Sequence, residues 1–452
     1  MIQNLRIDAR HTLRALRRNP VFTFVAVLTL GLGIGANSAI FSVVDGILFQ
    51  DLPFSDPHQL VALCETFPNQ PGNCRTASTP NVSDWEERSR SFQGIGVYRW
   101  WGHILETNDG AESVASLIAT PSFFQVMDYR PAVGRMLMEE DQLEGSRNKA
   151  VLDFDFWESR FGADPAVVGT TISLSGEPFE VVGVMQRGDK PPATTGERDA
   201  DVWLPLHFDP RANDRRDWRG FYAVGRLNPG SSLEVARQEL AVIRDGLMAE
   251  YPEANREWGL ELQSLHDRVV GQVKSTLFLF LGAVGLVLLI TCANIANLIL
   301  ARLSTRETEL GIRTALGAGT SRLTSQLLTE GLILALLGSG LGLLIAWIGT
   351  PLFLSLAPAG IPRLNEVGMN GKVLAFTLGL ALLATLLFGI APLLRASRIR
   401  PMEALRKTRH GRGKGPMGGM NGVLVVSEIA LALALLIGAG LLTRSFASFY
   451  QW

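Results

Sequence analysis

Residues 277–300 read LFLFLGAVGLVLLITCANIANLIL, an unbroken run without a single Asp, Glu, Lys or Arg. As a helix rising 1.5 Å per residue, 24 residues extend ~36 Å, enough to cross a hydrocarbon core of ~30 Å with some tilt. A soluble helix keeps a polar stripe toward water, and six turns uncharged on every face contradict that pattern. Four more runs repeat the signal. Val21–Val44 is uncharged, Gly331–Leu356 follows the lone acid Glu330, Val373–Leu394 is clean, and Val423–Leu442 is interrupted only by Glu428. The predicted spans are 21–44, 277–300, 327–356, 373–394 and 423–442.

Charge orients them. Of the 452 residues, 47% are hydrophobic and 19% charged, below the ~25% charged share usual in soluble proteins. The net charge of −1 conceals two halves of opposite sign: residues 45–271 hold 36 acids against 21 bases, and the remainder holds 7 against 21. A uniform soluble globule is thereby excluded, and so is a nucleic-acid binder, because no basic surface runs through the acidic block. The head, residues 1–20, carries Arg6, Arg10, Arg14, Arg17 and Arg18 against Asp8. Arg302, Arg306, Arg313 and Arg322 stand between the second and third runs, and residues 395–422 carry Arg395, Arg398, Arg400, Arg406, Lys407, Arg409, Arg412 and Lys414 against Glu403. The positive-inside rule places these three segments in the cytoplasm, and the acidic block and residues 357–372 outside. The sequence therefore predicts a multi-pass protein of the inner (plasma) membrane with a cytoplasmic N-terminus. A cleaved signal peptide ending at Ala36-Asn37-Ser38 is the competing reading of the first run, and it leaves the outside placement of the acidic block unchanged. The head reads as an interfacial helix, with Arg6, Arg10, Arg14 and Arg17 on one face and Ile2, Leu5, Ala9, Leu13 and Leu16 on another. A solvated basic leader is its alternative.

The block 45–271 reads as a folded mixed α/β domain. Aromatic anchors (Trp85, Phe92, Phe123, Phe124, Trp157, Phe161, Trp203) recur along it. Thr171–Leu174 and Phe179–Met185 predict a hairpin around Ser175-Gly176-Glu177-Pro178. Asn81–Arg90, Asp155–Phe161 and Leu233–Glu250 predict helices, the last with Ser232 as N-cap, and residues 187–200 predict an exposed loop. Cys64 and Cys74 are the only cysteines in the block, with Pro68, Pro71 and Gly72 between them to turn the chain back. An oxidising compartment would join them as a disulfide; two unrelated buried thiols are the other reading.

Catalytic signatures are missing from the sequence. There is no Gly-x-x-x-x-Gly-Lys-Ser/Thr phosphate loop, no HExxH, and no Gly-x-Ser-x-Gly elbow. The six histidines are scattered, and no acid pair is singled out. The expectation is a non-enzyme without metal or cofactor. Gly31-Leu-Gly33-Ile-Gly35 imitates a dinucleotide fingerprint but lies inside a span. Gly31 with Gly35, and Gly338 with Gly342, instead fit the small-xxx-small rule of helix packing. Glu330 and Glu428 fall near inner span ends, where snorkelling to the interface explains them better than proton coupling.

The inside loop, RLSTRETELGIRTALGAGTSRLTSQLLTE (Arg302–Glu330), contains two helical pieces around Gly317-Ala318-Gly319, with Leu310, Ile312 and Leu316 as apolar points and Glu309–Arg313 as an i,i+4 pair. Such an element suits docking of a cytosolic partner. A solvated loop is the alternative on these residues alone. The passage Cys292–Gly342 resembles the FtsX/MacB-type permeases of ABC transporters. Thr79–Arg99, Thr120–Asp141 and Phe156–Met185 resemble the MacB-like periplasmic core domain, and Asn19–Leu48 is similar to the family's first span. Together they fit most closely the acidobacterial duplicated orphan permeases.

The resemblance implies an α-helical integral membrane protein with FtsX/MacB-like spans and a mixed α/β extracytoplasmic MacB-like core domain. It also implies a permease without its own ATPase, driven by mechanotransmission from a separate ABC ATPase subunit through a coupling helix in 302–326. The residues so assigned are Glu307, Glu309, Gly311, Arg313, Leu316 and Gly317. A non-transporting signal transmitter that regulates an envelope enzyme or senses a ligand is the alternative function. Two departures stand out. Duplicated permeases repeat the unit, so residues 395–422 would be an inter-repeat linker and 423–442 the start of a second repeat, implying a truncated chain that works as a homodimer or as a pseudo-dimer through that repeat. At Met127-Asp128-Tyr129 the family's usual Leu-Gly-aliphatic run is missing.

Overall fold

The computed structural model describes residues 10–67 (without 11 and 15), 74–107, 110–143, 146, 148–192, 199–206, 215–305, 320–356, 367–396, 422, 425–438 and 440. Most of the predicted amphipathic head, the tip of the 187–200 loop and most of the basic linker lie outside them. The chain divides into two compact units. One comprises Gln50–Val273 with Pro358–Pro362, and the other Met1–Phe49, Lys274–Ala357 and Arg363–Trp452.

The first unit is built on a ten-stranded mixed sheet in the order β10-β1-β9-β2-β3-β8-β5-β7-β4, with β6 paired to β2 and β7. The strands are β1 Leu60–Thr66, β2 Phe92–Thr107, β3 Gly110–Ala119, β4 Pro131–Gly134, β5 Lys149–Leu152, β6 Thr171–Leu174, β7 Glu177–Met185, β8 Val202–Pro205, β9 Tyr222–Leu227 and β10 Gly259–Ser264. At 16 residues, β2 ties the sheet together: its first half pairs with β9 and its second half with β3. The predicted hairpin forms between β6 and β7. Ser175 (φ 54°) and Gly176 (φ 84°) supply the two left-handed positions that a tight two-residue turn requires.

Helices α2 Thr79–Arg88 and α5 Leu233–Glu250 accompany a core around Trp85, Ile95, Phe221, Leu240 and Leu247. Ser232 Oγ accepts from Val235 N–H at 3.2 Å and caps α5. Helix α3, Pro121–Met127, lies so close to β2 that a Cβ on Gly96 would sit 2.2 Å from Phe123 Cα. It ends at Asp128, in the left-handed conformation at φ 56°. The short polar side chain of aspartate tolerates that conformation better than most. Helix α4, Phe154–Phe161, starts on an Asp153 carboxylate that accepts from Asp155 N–H at 2.9 Å and ends at Gly162, φ 63°. It accompanies a second core around Trp157, Val181, Val184 and Val202. Cys64 and Cys74 are bonded, with their Cα atoms 5.3 Å apart. The short helix α6, Pro252–Asn255, leads into β10.

The second unit is helical. Helix α1, Pro20–Val44, continues as a π-helical turn over Asp45–Phe49. Helix α7 runs Leu265–Thr305, α8 Thr320–Leu356 and α9 Gly371–Ala396, and the fifth apolar run is described as helix α10, Val425–Gly438. Among the described residues four segments are long and apolar enough to cross a membrane: Pro20–Phe49, Val273–Arg302, Leu328–Leu352 and Gly371–Gly389. The sequence had begun the second of these regions at 277, whereas the helix itself starts at Leu265, directly after β10. Ser264 Oγ accepts from Asp267 N–H there at 3.0 Å, so the cap lies thirteen residues before the apolar run begins.

Candidate functional site

The helical unit is held together first by small residues. The two small-xxx-small motifs, one on α1 and one on α8, face each other. A Cβ on Gly35 would lie 2.9 Å from the Gly342 carbonyl oxygen, one on Gly338 would lie 2.6 Å from Leu30 Cβ, and one on Gly31 would meet the Leu341 side chain at 2.8 Å. Where lipid supplies no hydrophobic drive between helices, this close backbone approach is the main source of attraction. Leu30, Ile34, Leu288, Ile295, Leu334, Ala384 and Phe388, from α1, α7, α8 and α9, complete the core.

A line of polar groups along α1 adds direction to that packing. Asn37 Nδ2 donates to its own helix at Gly33 O (2.8 Å) and across to Val284 O on α7 (2.7 Å). Ser38 Oγ meets Thr377 Oγ1 on α9 at 2.8 Å, and Ser42 Oγ donates to Gly368 O at 2.8 Å. At the π-turn, Asp45 is almost wholly buried; it accepts from Asn370 Nδ2 at 2.6 Å and pairs with Lys372 at 3.6 Å. Asn370 Oδ1 in turn accepts from Val373 N–H and caps α9.

The coupling segment that the sequence singled out is bracketed by α7 and α8. Glu307, Glu309, Gly311, Arg313, Leu316 and Gly317 all fall in residues 306–319, outside the described residues. The structure does describe what flanks them. Arg302, near the end of α7, donates through Nη1 to Glu330 Oε1 on α8 at 2.6 Å, with both side chains about 85% buried. The same guanidinium lies over the Phe22 ring of α1, 4.7 Å from its centroid. Three helices therefore meet at one charge. Glu330 is an ion-pair partner and not a snorkelling acid, because a cation on the neighbouring helix is within contact. Glu428 on α10 likewise accepts from Asn297 Nδ2 at 3.1 Å. Sequence reading treated Arg302 only as a topogenic charge. The available signal was a cation and a lone acid bracketing one loop at the ends of adjacent spans.

In the sheet unit, a charged cluster joins α2, β1 and the chain before β9. Glu65, almost fully buried, accepts from Asn81 Nδ2 at 2.5 Å and pairs with Arg219. Arg216 pairs with Asp84 at 2.7 Å and donates to Asn81 Oδ1 at 2.7 Å. Burial pushes the Glu65 carboxyl above its usual range despite the Arg219 charge. Its two acids are each paired with an arginine, which fits a structural brace.

Family comparison agrees with this two-part architecture. The MacB-like periplasmic core domain matches residues 23–243, and the FtsX-like permease C-terminal domain matches residues 281–401. The chain belongs to the MacB/FtsX-type permeases of ABC transporters. It is a helical membrane protein with an extracytoplasmic α/β domain. The macrolide export ATP-binding/permease protein MacB of Hahella chejuensis is 27% identical to this permease over 292 residues, 63% of this chain and 42% of that protein. The pyoverdine export ATP-binding/permease protein PvdT of Pseudomonas syringae pv. syringae is 25% identical over 280 residues, 61% of this chain and 40% of that protein. The permease thus spans about two fifths of the length of these relatives. The crystal structure of the periplasmic region of MacB from Actinobacillus actinomycetemcomitans aligns with 53% of this chain and 97% of that one, at 13% identity and a TM-score of 0.35.

Proposed function

We propose that this chain is the permease subunit of an ABC-type export system that works by mechanotransmission from an ATPase carried on a separate polypeptide. The observation that carries the reading is the Arg302–Glu330 pair, stacked on Phe22, at the mouth of the 306–319 loop. A docking loop can pass force onward only if its two flanking helices move as one body, and a largely buried ion pair between them supplies that constraint. A second support is α7, a 41-residue helix with no internal proline that begins in the α/β unit and ends at the loop. At ~1.5 Å per residue it is a lever of roughly 60 Å. In this reading Glu307, Glu309, Gly311, Arg313, Leu316 and Gly317 form the docking face, the membrane is the inner one with the N-terminus cytoplasmic, and two permease units assemble as a homodimer or pseudo-dimer.

The test is co-purification from the native membrane with any Walker-type ATPase, followed by ATP-hydrolysis measurements in proteoliposomes. Glu309→Arg and Arg313→Glu are expected to release the ATPase or abolish permease-dependent stimulation. Unchanged association and unchanged hydrolysis in both variants would refute the docking assignment. A regulator, unlike a transporter, would alter the activity of a bound envelope enzyme when the ATPase is inactivated, without altering export.

A further inference from the structure

Arg99 lies in the middle of β2, opposite Ile118 of β3. Residues i and i+2 of a strand share a face, so its side chain and that of Trp101 leave the sheet together. The Arg99 guanidinium carbon sits 4.3 Å from the Trp101 ring centroid, and 5.5 and 5.6 Å from those of Trp218 and Phe221, in the chain before β9. Trp218 and Phe221 meet edge to face, with their centroids 5.2 Å apart. Phe221 is buried in the core, whereas Trp101 is 53% and Trp218 39% exposed.

The guanidinium lacks a counter-charge. Other arginines of this unit are paired: Arg135 with Asp141, Arg216 with Asp84 and Arg219 with Glu65. Among the described residues no carboxylate pairs with Arg99 and no carbonyl accepts from it, and burial lowers its pKa with no neighbouring charge to raise it. None of its nitrogens is a buried unpartnered atom, so the N–H edge stays open to solvent.

Stacking uses the faces of a guanidinium and leaves its N–H groups in the plane, where a carboxylate can accept two of them. The aromatic contacts also hold the fork in place before anything binds, which lowers the ordering cost of association. Two half-exposed tryptophans around one such arginine have the composition of an interface hot spot, where Trp and Arg are enriched. An open shelf of this kind suits a protein surface better than a small molecule, whose sites bury about 70–90% of the ligand. The surrounding block 45–271 carries 36 acids against 21 bases. A polyacidic partner is therefore repelled, and a single carboxylate set among apolar side chains is the fitting complement.

We propose that Arg99, Trp101 and Trp218 form a docking surface for a partner-protein segment that presents one Asp or Glu between apolar side chains. The carboxylate sits on the Arg99 fork and the apolar groups lie on the two indoles. The surface does not involve the 306–319 loop, so failure of the coupling assignment leaves it standing.

The test pans a random peptide library against the full chain in lipid nanodiscs, with the Arg99→Glu protein as counter-selection. The selected sequences should carry one acid flanked by apolar residues. The strongest binder is then titrated by calorimetry beside a version whose acid is replaced by its amide. Amidation should weaken binding to the unsubstituted protein at least about tenfold, a comparison that requires no variant to fold. Arg99→Gln should weaken the acidic peptide to a similar extent and leave the amide version unchanged, and Trp101→Ala should weaken both. Selected peptides without an acid, equal affinity of the acid and amide versions, or equal affinity for the Arg99→Gln and unsubstituted proteins would overturn the proposal. A selected motif that matches a stretch of this chain would assign the shelf to self-association and overturn the separate partner.

Discussion

Arg302 Nη1 and Glu330 Oε1 lie 2.6 Å apart, closing the two helices that enter and leave the 306–319 loop. Both side chains are largely buried, so removing either one takes a close counter-charge from the other. Arg302→Met or Glu330→Met alone is therefore expected to destabilise the helical unit by about 3–5 kcal/mol, and the double substitution by much less, because it removes both desolvation penalties. Thermal unfolding in detergent of the two single variants and the double variant measures this. Additive losses would show that the pair contributes no coupling.

Gly35 on α1 and Gly342 on α8 bring their backbones together, and a Cβ at Gly35 has a carbonyl oxygen 2.9 Å away that cannot rotate aside. Gly35→Leu should separate the two helices and cost about 1–3 kcal/mol or more. Gly340 and Gly349 are internal controls on the same helix α8, since a Cβ at either meets nothing within 4 Å. Gly340→Ala and Gly349→Ala should be neutral or slightly stabilising by helix propensity. Equal losses at all three sites, in the same unfolding assay, would remove the packing argument.

The membrane helices were legible because lipid imposes a requirement on every residue of a span, so the signal accumulates along Leu277–Leu300 and Val21–Val44. The glycine pairs were legible as motifs for the same reason, although only the structure shows that Gly31 and Gly35 meet Gly338 and Gly342. Helix α5 and the β6–β7 hairpin were legible from local chemistry, a serine cap and a two-residue turn. The sheet order was not, because β1 pairs with β9 and β10 across more than 150 residues, and no local pattern records such a partner. Arg302 with Glu330, and Asp45 with Asn370 and Lys372, were hidden likewise: each charge has a sufficient local explanation as a span flank, and the contact is a property of the packed helices.

Cys64 and Cys74 close a loop of ten residues, whose restriction in the unfolded chain is worth roughly 3 kcal/mol. Cys64→Ser with Cys74→Ser should lower the unfolding temperature, and dithiothreitol should do the same to the unsubstituted protein but not to the variant. Cys292, on α7 and buried in the core it shares with α1, α8 and α9, is the remaining free thiol. Alkylation of non-reduced, denatured protein should therefore label a single cysteine per chain. Three labelled cysteines would dispose of the bond.

Asp189 carries a distinct pH signature. Burial raises its carboxyl from 3.8 to about 6, with the charges of Asp128 and Asp153 adding to the shift. Lys190, the adjoining residue, directs its ammonium to Asp153, Asp155 and Asp199 and leaves Asp189 uncompensated. A carboxyl whose folded pKa lies above its unfolded value favours the native state in its protonated form. Its contribution is complete below about 3.8 and is lost as pH rises through about 6. Asp189→Asn mimics the protonated group at every pH. It should leave stability unchanged near pH 4 and raise the unfolding temperature at pH 7.5. Asp128→Asn should recover part of that gain, because it removes one of the two repelling charges while leaving burial in place. Denaturation curves at the two pH values decide the matter, and a gain equal at both would assign the effect to packing instead of ionisation.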